Sequence, residues 1–281
     1  MTIDFTTTIR GIAVPTLGVG TWEVAGQDVV DAVVDGLAAG YRHIDTAQAY
    51  GNEEQVGTGL KKSGVARDEF WLTSSKVWID SFAPDAVRSS TEKSLRLLGV
   101  DHVDLMLLHW PAGGEDVVKG AIDALAKAKA DGLVREYGVS NVPAGMLRRF
   151  LDHDPGIFAD QVEYHAHLTQ DALLETARAN DLMVTAYSPL ANGRGLIEDP
   201  VIVQIAQESG ATPAQVAIAW LAGQDHVTVL PRSTDRGRRR ENLGALDVDL
   251  TAEQTARLAE LSTQNRRYID PAGRAPDWSD Q

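Results

Sequence analysis

Four side chains of different chemistry stand at or just beyond the ends of short apolar runs. Asp45 closes "RHID", Lys76 closes "FWLTSSK" and His109 closes "VDLMLLH", while Tyr50 lies in the loop that follows Asp45. A phenol, with a pKa of about 10 in water, is a poor acid at neutral pH. An ammonium close to its oxygen favours the phenolate and lowers that pKa, and a buried carboxylate keeps the ammonium charged and in place. An imidazole at the same oxygen can orient a carbonyl and help relay a proton. The set suits donation of a proton to a developing alkoxide, a reaction that also needs a hydride source. Each residue alone has a plainer reading: a turn cap, a solvated strand end, a rim aromatic, a histidine bonded to backbone. Their coincidence at one end of successive strands is what argues for chemistry.

The elements that must position them are eight strand-like runs, at 16–20, 42–45, 70–76, 103–109, 134–140, 158–164, 182–188 and 226–231. They are nearly continuous apolar stretches, as expected of parallel strands buried on both faces. Between them lie segments of helical spacing. Val29, Val33 and Leu37 share a face, Pro84 opens a helix that Gly99 ends, another ends at Gly132, and Thr212 with Pro213 forms a helix start. Eight βα units predict an α/β fold, a (β/α)8 TIM barrel occupying residues 1–281 as one domain, with catalytic groups at the C-terminal ends of the strands. "TTTIRGIAVP" reads as an N-terminal β-hairpin closing the barrel floor, and residues 265–280 as a C-terminal tail loop. A doubly wound sheet is the rival, but its glycine-rich turn is missing: "GVGTWEVAG" carries Glu23 at the third-glycine position.

Composition narrows the function classes. A hydrophobic content of 43% supports a substantial core. A net charge of −14, spread along the chain, repels nucleic acid and anionic membrane. No run is long and apolar enough for a spanning helix, the N-terminus lacks a signal-peptide pattern, and there are no cysteines, which fits a cytoplasmic setting. The one basic cluster, "RSTDRGRRREN" at 232–242, points to a specific small anion.

"GVGTW", "HIDTAQAYGNEEQVG", "TSSKVW", "LLHWP", "GVSN", "QVEYH", "YSPL" and "PRSTDRGRRREN" resemble, in order and spacing over almost the whole chain, the successive signatures of the aldo-keto reductase family. The short loop after "LLHWP" and the tail most resemble its branch of bacterial-type 2,5-diketo-D-gluconate reductases, which also reduce methylglyoxal. The resemblance implies NADPH-dependent reduction of a small aldehyde or ketone, with Tyr50 as general acid, Asp45 and Lys76 tuning it, and His109 orienting the carbonyl. It assigns Ser140, Asn141 and Gln161 to the nicotinamide carboxamide, and Tyr187 to stacking on the nicotinamide ring. Ser188 and Leu190 fall along the pyrophosphate, Thr21 and Trp22 near the ribose and the mouth. Arg232, Ser233, Thr234 and Arg238 match positions for the adenosine 2′-phosphate, and Glu241 and Asn242 match adenine contacts. Arg232 stands where the family usually has lysine, and Ala166 where it commonly has proline.

Trp22, Trp78, Trp110 and Trp278 are expected to line the mouth together with His109, whereas Trp71 and Trp220 are assigned to packing. Arg266, Arg267 and Arg274 of the tail are candidate cations for a charged substrate. Glu53 and Glu54 read as the start of a helix, and Arg239 and Arg240 as an exposed helical face. His165 and His167 offer no carboxylate set beside them in the sequence and read as structural, so no metal is assigned. Monomers are common in this branch of the family. The alternatives are a nicotinamide-binding regulatory or sensor subunit on the same fold, which the presence of all four catalytic residue types disfavours, and a barrel hydrolase, which would need paired carboxylates or metal ligands at strand ends.

Overall fold

The computed structural model describes residues 6–280, apart from the side chains of residues 75, 76 and 79. Ten strands run β1 (Thr6–Ile9), β2 (Ile12–Pro15), β3 (Val19–Gly20), β4 (His43–Asp45), β5 (Trp71–Val77), β6 (Val103–Leu108), β7 (Val134–Ser140), β8 (Ala159–Glu163), β9 (Met183–Tyr187) and β10 (Val227–Leu230). Ten helices accompany them among the described residues: α1 (Gly26–Ala39), α2 (Glu53–Ser63), α3 (Pro84–Leu98), α4 (Glu115–Ala130), α5 (Ala144–His153), α6 (Asp171–Ala179), α7 (Pro200–Ser209), α8 (Pro213–Ala222), α9 (Arg236–Leu243) and α10 (Ala252–Ser262).

Strands β3 to β10 pair in chain order, all parallel. The barrel closes where Leu17 bridges Val229, Gly18 N–H donates to the Val229 carbonyl at 2.9 Å and Val229 N–H to that of Thr16 at 2.8 Å. Gly18 is required at this seam: a Cβ there would lie 2.6 Å from Leu230 and 2.9 Å from the His43 ring. All eight expected barrel strands are present, and β1 and β2 form the expected antiparallel hairpin.

Local sequence explains the helix ends. Pro84 occupies the first turn of α3 and Gly99 takes a left-handed φ of 69° after it. Thr212 caps α8 in a reciprocal box with Gln215, and Pro213 follows at the first helical position. After β9 and after β10 the chain inserts two helices rather than one, which the even βα rhythm of the sequence does not reveal.

Side chains inside the barrel change character along its axis. At the floor Ile9 and Val14 of the hairpin seal a buried apolar cluster of Trp71, Leu105, Leu107, Phe158, Ala159 and Met183. Midway lie hydrogen-bonded polar groups: His43 with Thr73 at 2.9 Å, and Thr228 with Thr185 at 3.0 Å. At the C-terminal end the inward positions are Asp45, Ser140, Gln161, Glu163 and Tyr187, every one within or next to the mouth.

Candidate active site

The mouth holds a cavity of about 580 Å³ lined by Asp45, Tyr50, Trp22, Trp78, His109, Trp110, Ser140, Asn141, Gln161 and Tyr187, among others. Tyr50 ends a short 3-10 turn at 48–50 after β4, and Gly51 reverses the chain behind it at φ 65°. Asn52, buried, staples this loop to the neighbouring one. Its amide donates to the carbonyls of Thr21 at 2.9 Å and Val24 at 2.8 Å, and its oxygen accepts from Thr46 at 3.0 Å. Asn52 carries no signal in the sequence beyond its helix-start position. Glu53 begins α2 as expected, yet it is not a solvated dipole partner: it is buried and accepts from Ser74 at 3.0 Å and Ser94 at 3.2 Å.

His109 follows β6 and lies between two aromatic rings. Its ring centroid is 6.1 Å from that of Tyr50 and 5.1 Å from that of Trp78, both edge-to-face. The Tyr50 phenol, the imidazole and an indole wall thus converge on one chamber. Asp45 is buried and accepts a 2.8 Å hydrogen bond from the Gln161 amide. Lys76 sits near the end of β5, where the β5–β6 register slips between Ser74 and Val77; its side chain lies outside the described residues. Such irregularities often mark sites, because they re-aim a strand end.

The exits of β7, β8 and β9 form one hydrogen-bonded panel. Ser140 Oγ donates to the Gln161 carbonyl at 2.7 Å, Asn141 Nδ2 donates to the His109 carbonyl at 2.9 Å, and Asn141 Oδ1 accepts from the Tyr187 hydroxyl at 2.7 Å. Asn141 and Ser188 both take left-handed backbone conformations, φ 64° and 50°, which cost energy for residues other than glycine and cluster at sites. Burial pushes the Tyr187 phenol up, so it stays a neutral donor. One buried atom of the panel, Gln161 Oε1, has no partner among the described residues. Gln161 lines the cavity, and an amide N–H₂ group brought against this acceptor would satisfy it. The residues present therefore fit a nicotinamide carboxamide.

A second cavity, of about 360 Å³, is lined by Ser233, Thr234, Asp235, Ala214, Glu241 and Asn242, and shares Leu190, Ile197, Arg232 and Arg238 with the first. Asp235 caps α9 by accepting from Arg238 N–H at 2.8 Å. Arg232 crosses to the opposite rim, its guanidinium 3.2 Å from Glu23 and 5.7 Å from the Trp22 ring centroid. Glu241 accepts from the Thr212 hydroxyl at 2.7 Å.

Some assigned residues lie elsewhere than expected. Thr21 is wholly buried behind the wall, its hydroxyl donating to the Asp45 carbonyl at 2.9 Å. Trp278 does not line the mouth: its N–H donates to Asp270 at 3.0 Å and Arg267 covers its ring at 3.5 Å. Arg239 does not lie on an exposed helical face. It is buried, donates to the Ser233 carbonyl at 3.0 Å and pairs with Asp35 at 2.9 Å, which fastens the basic loop to α1. His165 and His167 each have a carboxylate neighbour, Glu163 at 3.1 Å and Asp199 at 3.0 Å. These are two separate pairs, and no group of three metal-ligating side chains gathers among the described residues. Trp71 and Trp220 pack as expected, against Phe158 and Tyr164.

Glu163 has a larger role than its place inside "QVEYH" announces. It is fully buried at the end of β8 and accepts from the backbone N–H groups of Tyr268 at 2.9 Å and Ile269 at 2.9 Å. This ties the C-terminal tail across the mouth, where Ile269, Pro271 and Arg274 complete the cavity wall. A carboxylate on a strand buried on both faces, two residues from Gln161 and so on the same side, was the available signal.

A family model described as the aldo/keto reductase family matches residues 16–263. The chain is 38% identical over 273 residues to methylglyoxal reductase DkgB of Salmonella typhi, covering 95% of this chain and 100% of that protein. It is 36% identical over 266 residues to the 9,11-endoperoxide prostaglandin H2 reductase of Trypanosoma cruzi, with 93% of each covered. A crystal structure assigned to 2,5-diketo-D-gluconic acid reductase B superposes with a TM-score of 0.93 at 39% identity, covering 99% of this chain and 98% of that one.

Proposed function

The chain belongs to the aldo/keto reductase family and is an oxidoreductase acting on carbonyl compounds; from that premise we propose that it reduces small aldehydes and ketones to alcohols with NADPH, Tyr50 giving the proton. The observation that carries this reading is the continuity of the two cavities. An aromatic-walled chamber at Tyr50 and His109 runs through Leu190, Ile197, Arg232 and Arg238 into a basic pocket at the start of α9. A dinucleotide laid along that trough has its nicotinamide beside Tyr187 and Gln161 and its adenosine 2′-phosphate beside Arg232, Ser233, Thr234 and Arg238, with Glu241 and Asn242 at the adenine.

Bound NADPH supplies the hydride that goes from nicotinamide C4 to the carbonyl carbon. The chain's residues do the rest. Gln161 Oε1 accepts from the carboxamide, and the panel of Ser140 and Asn141 holds the strand exits in register. The Tyr187 ring would give a bound nicotinamide one flat face to rest on. As negative charge builds on the carbonyl oxygen, the Tyr50 hydroxyl donates its proton there and completes the alcohol. The Lys76 ammonium lowers the cost of that transfer by stabilising the phenolate left behind, and Asp45 keeps the ammonium in place. His109, wedged between Tyr50 and Trp78, fixes the direction of approach of the carbonyl oxygen. The Trp22, Trp78 and Trp110 walls suit a small substrate and exclude water. Methylglyoxal and 2,5-diketo-D-gluconate, the substrates named for the relatives, are the first to try.

The test is NADPH oxidation over a panel of methylglyoxal, 2,5-diketo-D-gluconate, an aromatic aldehyde and a simple ketone, with NADH in parallel. Turnover with NADPH well above that with NADH is the expected result. Equal use of both cofactors would remove the 2′-phosphate assignment. Tight NADPH binding without turnover of any member would remove the reductase reading.

A further inference from the structure

Of the three tail arginines, only one reaches the substrate chamber. Arg267, largely buried, covers Trp278 and lies 4.0 Å from Glu163, and Arg266 contributes its backbone N–H to the His167 carbonyl at 2.7 Å; neither lines the cavity. Arg274 lines the cavity, with its guanidinium 4.7 Å from the centroid of the Trp78 ring. Trp78 in turn meets His109 at 5.1 Å, so His109, the indole and the guanidinium follow one another along one wall. No carboxylate pairs with Arg274 among the described residues, although the chain carries 40 acidic residues against 26 basic ones. Among the described residues, the other arginines lining this cavity, Arg232 and Arg238, lie at the end shared with the basic pocket.

The tail holds Arg274 in place from both sides. Upstream, Glu163 accepts from Tyr268 and Ile269 N–H, and Tyr268 lies between the His165 ring and Arg194. Downstream, the Asp280 carbonyl accepts from Gly145 N–H at 2.9 Å and its carboxylate pairs with Arg149 at 2.7 Å. Between these pins the backbone turns at Pro271, whose carbonyl accepts from Arg274 N–H at 3.2 Å. A guanidinium carried on a segment fastened at both ends loses less freedom on binding than one on a loose tail.

From this we propose that Arg274 is a specificity-determining residue that binds the carboxylate of the substrate, and that the preferred substrates are small carbonyl compounds carrying a carboxylate a few bonds from the reacting carbonyl. The proposal rests on the reductase reading above. A carboxylate fits better than a phosphate because a single planar fork matches two carboxylate oxygens, and the walls around it are indole rings rather than the converging N–H groups that phosphate sites use. Stacking on Trp78 further orients the fork and leaves its edge N–H groups for the ligand.

The experiment compares succinic semialdehyde with butanal, matched in chain length, for the wild type and Arg274→Gln with saturating NADPH. The ratio of kcat/KM for the acid over the neutral aldehyde should favour the acid in the wild type. It should fall about 10- to 100-fold in the variant, mostly through KM, the loss expected for one charge-assisted pair. Succinate, which cannot be reduced, should compete with butanal in the wild type and lose about tenfold in the variant. A ratio and a succinate affinity both within twofold of wild type would overturn the assignment while leaving the reductase standing. A wild type that oxidises NADPH with neither aldehyde would overturn both readings.

Discussion

The two ends of the barrel are put to different uses. At the floor, apolar side chains interlock under the hairpin, and the buried acid of that end, Asp104, is fully engaged: Arg67 at 2.6 Å, Arg135 at 2.9 Å and the Leu72 N–H at 2.8 Å all reach it. At the mouth, polar side chains line a cavity instead, and Gln161 Oε1 has no hydrogen-bond partner there among the described residues. Satisfied polar groups and dense packing hold a structure together, whereas buried groups with unspent bonding capacity are positioned for a ligand or carry strain. The floor therefore sets stability and the mouth sets chemistry, and substitutions at each end should separate the two.

The largest effect belongs to Tyr50→Phe, which keeps the ring and removes the proton. Reduction should drop by about a hundred- to ten-thousand-fold with NADPH affinity nearly intact, as read by tryptophan fluorescence. Near-normal turnover would remove Tyr50 as the acid. At the other end, Leu105→Ala opens a void in the floor cluster and should cost about 2–5 kcal/mol in urea unfolding while the folded fraction keeps its NADPH affinity. A matching loss of cofactor affinity would blur the division between the ends.

Asp160, which lines neither the floor cluster nor the mouth, adds a pH-dependent test. It lies on β8 facing the helix layer, wholly buried, and burial holds its carboxyl well above the usual carboxylate range. The folded state thus keeps a proton that the unfolded chain releases. Stability from this group is fully present below the unfolded pKa and drains away as pH rises toward the folded one, at about 1.4 kcal/mol per pH unit while both conditions hold. Asp160→Asn should remove that slope, so that the wild type gains on the variant as the pH is lowered from neutral. Parallel pH profiles would show the group ionised in the fold. The smallest effect is at Glu23, whose partly exposed bridge to Arg232 occupies the guanidinium assigned to the 2′-phosphate. Glu23→Gln should tighten NADPH by about two- to fivefold with little change for NADH. An equal shift for both would place Arg232 outside phosphate recognition.

Much of this was legible in the sequence, for physical reasons that differ by residue. Strands of a parallel barrel must be apolar on both faces, so all eight stood out as runs, and polar residues at or near the ends of several of them marked the mouth: Asp45, His109, Ser140 and Gln161 line one cavity. What could not be read were contacts between distant segments. Asn52 looks like any helix-start residue until Thr21 and Val24 are brought against it. Arg239 is the middle residue of "RRR" and looks like its neighbours in composition, yet Asp35, far back in the chain, draws it inward and leaves Arg238 facing the trough. Trp278 and Arg274 are both in the tail, and the fold decides which one meets the cavity.

The central claim is that hydride passes from nicotinamide to a carbonyl carbon in this chamber. Mass spectrometry of the alcohol formed from methylglyoxal with NADPH deuterated at the transferred position of C4 tests it most directly. One deuterium on the new carbinol carbon is the predicted result. An alcohol free of deuterium, or labelled cofactor bound but never consumed, would contradict it.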